Sequence, residues 1–190
     1  MALKLITAAT LNAVSLAEAK LQCRVDLSDE DSLITAFITA ATEMAEQATG
    51  RSIMPATWEL TLDEFPDAFM LTRIPALSVT SLKYNDATGV LQTLSNSAYA
   101  LDSADDYGTA YVVPAYAGSW PTTRDQANAV ALRYVAGYPD AAAVPEGIKT
   151  WIRLMVGAMY ENRAAQVVGN GSALSLGFAD RLLDRYVVYQ

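Results

Sequence analysis

The residues that could do chemistry are carboxylates, and they fall into small groups. Asp26, Asp29, Glu30 and Asp31 crowd one short stretch, Asp63 and Glu64 are adjacent, and Asp102, Asp105 and Asp106 lie beside Gly108. Acids at such spacings build calcium loops or the paired general acid and base of a glycosidase. The first group sits where a helix should begin, and acids there offset the positive end of the helix dipole. The third lacks the glycine turn and closing glutamate of a calcium loop and reads as a solvated loop. A carboxylate-based hydrolase or a carbohydrate-binding module is therefore the alternative reading. It requires at least two of Asp63, Glu64, Asp102, Asp105 and Asp106 to share a concave pocket with raised pKa values.

Other chemistry finds no material. The sequence contains no histidine, which removes the common proton shuttle, the Ser-His and Cys-His pairs and the usual nitrogen metal ligand. Its one cysteine, Cys23, allows neither an internal disulfide nor a cysteine-cluster zinc site, and its place on an apolar helical stripe predicts a packed core residue. Gly169-Asn170-Gly171 is not a phosphate loop, because no Lys-Ser/Thr follows and no strand precedes it. Trp120-Pro121 and Trp151 read as apolar anchors in the core. The sequence thus predicts no catalytic residue, no cofactor and no metal.

Composition sets the frame. A hydrophobic fraction of 52% against 18% charged residues, in 190 residues, suits a single domain with a sizeable core. The net charge of −8 argues against non-specific duplex binding, which depends on lysine and arginine neutralising phosphates. A DNA-binding helix pair over Leu16–Gly50 is a poor reading for the same reason, since the second helix carries no Lys or Arg before Arg51. No apolar run reaches the ~18–20 residues of a membrane span. Lys4 followed by Leu5-Ile6-Thr7-Ala8-Ala9 mimics a secretory signal, but Thr7, Thr10, Asn12 and Ser15 interrupt it, and the stretch reads better as a native helix start in a cytosolic protein.

The elements that would position these residues follow from caps and periods. Ser15-x-x-Glu18 is a capping box and predicts a short helix from Leu16 to about Arg24. Ser28 as N-cap, with acids in the first turn, predicts a longer helix. Leu33, Ile34, Phe37, Ile38, Ala41, Ala45 and Ala48 form its buried stripe, and Gly50 stops it. After Pro55 the period falls to two. Strands are predicted at Thr57–Leu62, Ser78–Tyr84, Val90–Leu94, Ala98–Leu101, Ala110–Val113 and Ala129–Val135, with a hairpin turn at Asn85–Gly89. Helix returns at Val144-Pro145-Glu146, with proline at the first helical position and a wide apolar face from Ile148 to Tyr160. The predicted class is α+β: a small bundle of two N-terminal helices and one long C-terminal helix, with an inserted antiparallel β-rich block. The single domain divides as 1–55 helical, 56–140 β-rich, 141–165 long helix and 166–190 flexible loop and terminal segment, with Gly169–Ser172 a flexible connector.

An ordered set of short matches carries a resemblance. Ser15 to Lys20, Arg24-Val25-Asp26, Glu30-Asp31-x-Leu33-Ile34, Ala40-Ala41 and Gly50-Arg51 come first. Thr57-Trp58-Glu59-Leu60, Phe65-Pro66, Ile74-Pro75, Ser78-Val79 and Lys83-Tyr84 continue it. It is densest at Ser119-Trp120-Pro121, Asn128-Ala129-Val130, Arg133-Tyr134-x-Ala136-Gly137-Tyr138 and Val144-Pro145, and it closes at Tyr160-Glu161-Asn162-Arg163. In these stretches the chain resembles the head–tail connector (adaptor, or head-completion) proteins of tailed phages. Leu182-Leu183-Asp184-Arg185-Tyr186 fits the short terminal segment of that family, while the loop from Ala164 to Gly177 is longer and more apolar than usual.

The resemblance implies a structural virion protein without an active site. It would sit in the neck, assembled in the host cytoplasm, as a dodecameric ring of identical subunits beneath the portal protein. Such a ring extends the DNA channel, helps retain packaged DNA, and offers a landing platform to the next neck or tail protein. Genomic DNA would pass through without specific binding, and acidic side chains facing the lumen would repel it. Phe178, Leu182, Leu183, Arg185, Tyr186 and Tyr189 are the candidates for docking on the portal or a neighbouring subunit, since short tails commonly order on a partner. Which acids line the channel stays open.

Overall fold

A computed structural model describes residues 1–103, 109–162, 179 and 181–188. It is an α+β protein whose chain divides into two compact units, one of Met1–Thr10 and Met54–Pro139, the other of Leu11–Ile53 and Asp140–Tyr189.

The first unit is built on strands. Its larger sheet takes β1 (Ala2–Thr7), β2 (Ala56–Leu62), β4 (Ala76–Asn85), β5 (Leu91–Thr93) and β8 (Val130–Ala136), in the order β1-β2-β8-β4-β5. The smaller takes β3 (Phe69–Leu71), β6 (Tyr99–Asp102) and β7 (Ala110–Pro114), in the order β3-β7-β6. Every pairing between these strands is antiparallel. The central strand β8 shows why. Val130, Leu132, Tyr134 and Ala136 are fully buried while the residues between them are half exposed, the alternation that a strand with one face on the core requires. Leu132 lies opposite Leu60 on one side and Leu82 on the other, so three buried leucines form a row across β2, β8 and β4. Each contributes about 1.5–3 kcal/mol of burial.

The predicted strands are all present within a residue or two. Two others were not predicted. β1 replaces the helix start read at the N-terminus, because Leu3, Leu5 and Ile6 complete a strand on β2 and do not form a helical stripe. β3 is only three residues long and gives no period to read.

The second unit is helical. α1 (Leu16–Cys23), α2 (Asp31–Thr49) and α3 (Glu146–Glu161) all contact one another, and a single 3-10 turn, Asp184–Tyr186, lies in the terminal segment. Ile34, Ile38, Ala41 and Ala45 of α2 and Ile148, Trp151, Ile152 and Val156 of α3 are buried, as the i, i+3, i+4 spacing predicts. Ala48 is exposed and Thr49 buried in its place; the Thr49 hydroxyl donates back to the Ala45 carbonyl at 2.7 Å, so the polar group costs little. Gly50 ends α2 in the left-handed conformation, φ +72°.

Three local expectations need correction. Ser28 is not the cap of α2: Glu30 holds that position with no side-chain cap, and the Asp31 amide bonds the Ser28 carbonyl in a turn. Pro145 is the N-cap of α3, one residue before the first helical position. Cys23 is half-buried, at the end of α1 where the stripe runs out.

Candidate interaction surfaces

The acids at the start of α2 tie helices together. Lys20 of α1 donates to Asp31 at 2.7 Å, and the Tyr160 hydroxyl of α3 donates to Glu30. The capping box of α1 is complete: the Glu18 amide donates to the Ser15 hydroxyl oxygen at 3.3 Å, and the Ser15 amide donates to the Glu18 carboxylate at 2.8 Å. The Ser15 hydroxyl and amide, followed by nearby Arg153, hold the Glu18 carboxyl below its usual range. Arg153 pairs with Glu18 at 3.5 Å and with Glu146. These carboxylates are engaged in structure, and burial pushes the Cys23 thiol up, away from a reactive thiolate.

In the strand unit, Asp63 and Glu64 line a cleft of about 310 Å³ with Thr123, Arg124 and Asp125. Asp63 accepts the Asn128 amide at 2.7 Å and so fixes the turn into β8, where Asn128 adopts φ +58°. Asp102 stands on β6 and is not among the residues lining that cleft; Asp105 and Asp106 lie outside the described residues. Among the described residues no group of three or more His, Cys, Asp or Glu is arranged to hold a metal ion. Trp120 is half-buried and not in the core. It stacks on Phe65 with 5.1 Å between ring centroids, and the edge of Phe69 meets it at 5.4 Å.

The terminal residues proposed for docking divide. Leu183 is buried, Leu182 and Tyr186 are half-buried and Arg185 is exposed, while Phe178 and Tyr189 lie outside the described residues. Leu183 thus anchors the segment on its own helical unit. The Val188 amide donates to the Thr49 carbonyl at 2.8 Å, and Tyr186 packs so closely on Gly147 that an added Cβ there would meet its ring at 3.1 Å. The Arg185 guanidinium lies 5.5 Å from the centre of the Tyr186 ring, leaving a small cationic and aromatic face outward.

Composition gave no sign of a second surface. β1 and β5 are the outer strands of the larger sheet, and exposed apolar side chains gather on them: Leu5 on β1, with Val90 and Leu91 at β5. Only the strand order reveals them. In the helical unit Leu21 and Leu27 are also exposed, Leu21 beside Glu18, Gln22 and Arg153.

These features define a protein with exposed contact surfaces and no assembled reaction centre among its described residues, and its fold has known counterparts. A chain from the neck of an empty gene transfer agent (GTA) particle, computed with C6 symmetry, superposes with a TM-score of 0.78 at 22% identity, covering 100% of this chain and 97% of that one. A chain from the virion of a native gene transfer agent particle gives the same values. One from the neck of a native particle, computed with C12 symmetry, gives 0.76 at 20% identity. Residues 13–90 match the family of phage gp6-like head–tail connector proteins, which bears out the resemblance read from the sequence. No curated protein sequence matches the chain.

Proposed function

We propose that the protein is a structural subunit of the neck of a tailed virion or virion-like particle. It forms a dodecameric ring beneath the portal, extends the DNA channel, helps retain the packaged genome and joins the tail. The observation that carries this reading is the superposition, over the whole chain, on components of gene transfer agent particles, two of them from the neck. The match of residues 13–90 to head–tail connectors supports it independently.

The chemistry of the chain is consistent with that role. A net charge of −8 disfavours adhesion of a phosphate polymer threading past the subunits. The terminal segment offers Arg185 with the half-exposed Leu182 and Tyr186 as the portal-docking or neighbour-docking face, and Phe178 and Tyr189 flank it in sequence. Leu183 holds that face in place from within its own unit.

Deleting the gene for this chain from the particle that encodes it tests the proposal. The expected product is DNA-filled heads that leak and carry no tails, restored by the protein supplied in trans. Tailed, full particles lacking the protein would overturn it.

A further inference from the structure

We propose that neighbouring subunits of this ring join sheet to sheet, the free side of β1 in one copy pairing with the free side of β5 in the next. The inference rests on the ring reading above and assigns the contact that closes it. A cyclic ring needs heterologous contacts, in which two different surfaces of the same chain meet. The larger sheet supplies such a pair, since β1 and β5 are its two ends and each has one strand neighbour among the described residues.

Neither edge is blunted as edges of lone subunits usually are. Ala2-Leu3-Lys4-Leu5-Ile6-Thr7 carries one charge and no proline, and Ala2 to Leu5 pair with β2 in regular register, the one shift falling between Leu5 and Thr7. Leu5 is 44% exposed on this edge, and at the other Val90 and Leu91 are 56% and 63% exposed. The charges also complement. Lys4 is the sole charged side chain of residues 1–10, and Asp86, at the base of the β4–β5 hairpin, is the sole one of residues 84–100. The Thr88 hydroxyl, Gln92 and the Val90 amide all donate to Asp86 and keep it ionised. A cationic edge meeting an anionic one favours this order of assembly over like-edge pairing.

The test uses the full chain mixed with its portal ring, in a Cys23→Ser background. Leu5→Cys and Leu91→Cys are combined and treated with a short bis-maleimide. The expected result is a ladder of covalent multimers from the double variant and monomer alone from each single variant. Rings that assemble without a ladder overturn the edge contact while leaving the ring reading intact. Covalent dimers from Leu5→Cys alone show like edges meeting and overturn it too. If the unmodified chain forms no ring with the portal, the ring reading itself fails. Leu5→Lys and Leu91→Lys give a second readout: both positions are exposed, so circular dichroism should be unchanged while the concentration needed for assembly rises on the order of tenfold. Unaltered assembly by both variants would contradict the contact.

Discussion

Arg51, only 4% exposed, donates from Nε to the main-chain carbonyl of Tyr186 at 2.6 Å across 135 residues of sequence. A guanidinium is costly to bury unless its donors are satisfied, so this bond and the packing around it hold the terminal segment against the end of α2. Arg51→Met should lower stability by about 2–4 kcal/mol in urea unfolding and hasten proteolysis within residues 181–188. Arg51→Lys should not restore it, because an ammonium lacks the planar fork. An unchanged unfolding midpoint would show that Arg51 does not hold the segment.

Tyr134 is the largest fully buried side chain, and its hydroxyl oxygen accepts the Arg73 amide at 3.2 Å. Tyr134→Phe should cost about 1–2 kcal/mol, since a partly buried amide loses its acceptor. Burial pushes the Tyr134 hydroxyl above its ordinary range. Near and above the ordinary tyrosine value the unfolded chain therefore releases this proton first. Stability should fall as pH rises through that value, and more steeply for the natural chain than for Tyr134→Phe. Parallel alkaline unfolding curves would refute this.

The α1 capping box gives the opposite pH sign. Ser15→Ala should destabilise the chain by about 1 kcal/mol. Because Glu18 is held below the usual carboxylate range, its stabilising share is complete above that range and lost as pH falls through the depressed value. Ser15→Ala should therefore flatten the acid limb of a stability–pH profile. Thermal melts across that limb measure it, and identical slopes would argue against the box.

Gly137 follows β8 with φ +133°, and a Cβ there would lie 2.4 Å from the Met54 carbonyl carbon and oxygen. Both the backbone conformation and the contact forbid a side chain. Gly137→Ala should cost about 3 kcal/mol or more, read as a lowered melting temperature.

Much of the fold was legible because local signals agreed with tertiary packing. The Ser15–Glu18 box, the Gly50 stop and the alternation from Val130 to Ala136 all appear as their residues predict. The failures have physical causes. β1 exposes residues on both faces, so Lys4-Leu5-Ile6 shows neither a helical nor a strand period. Ser28 looked like a cap because acids followed it, but Glu30 and Asp31 are engaged by Tyr160 and Lys20, contacts no local window contains. The same applies to the interaction surfaces. Composition singled out Leu182 to Tyr186, yet only the fold shows that Leu183 faces inward and that Leu5 and Leu91 stand on opposite edges of one sheet.

The most direct measurement is the mass of the assembly that the purified chain forms with the portal of its own particle, read by native mass spectrometry or mass photometry. The account predicts that the portal ring gains the mass of twelve copies of this 20.4 kDa chain. A chain that stays monomeric at high concentration and leaves the mass of the portal unchanged would contradict it.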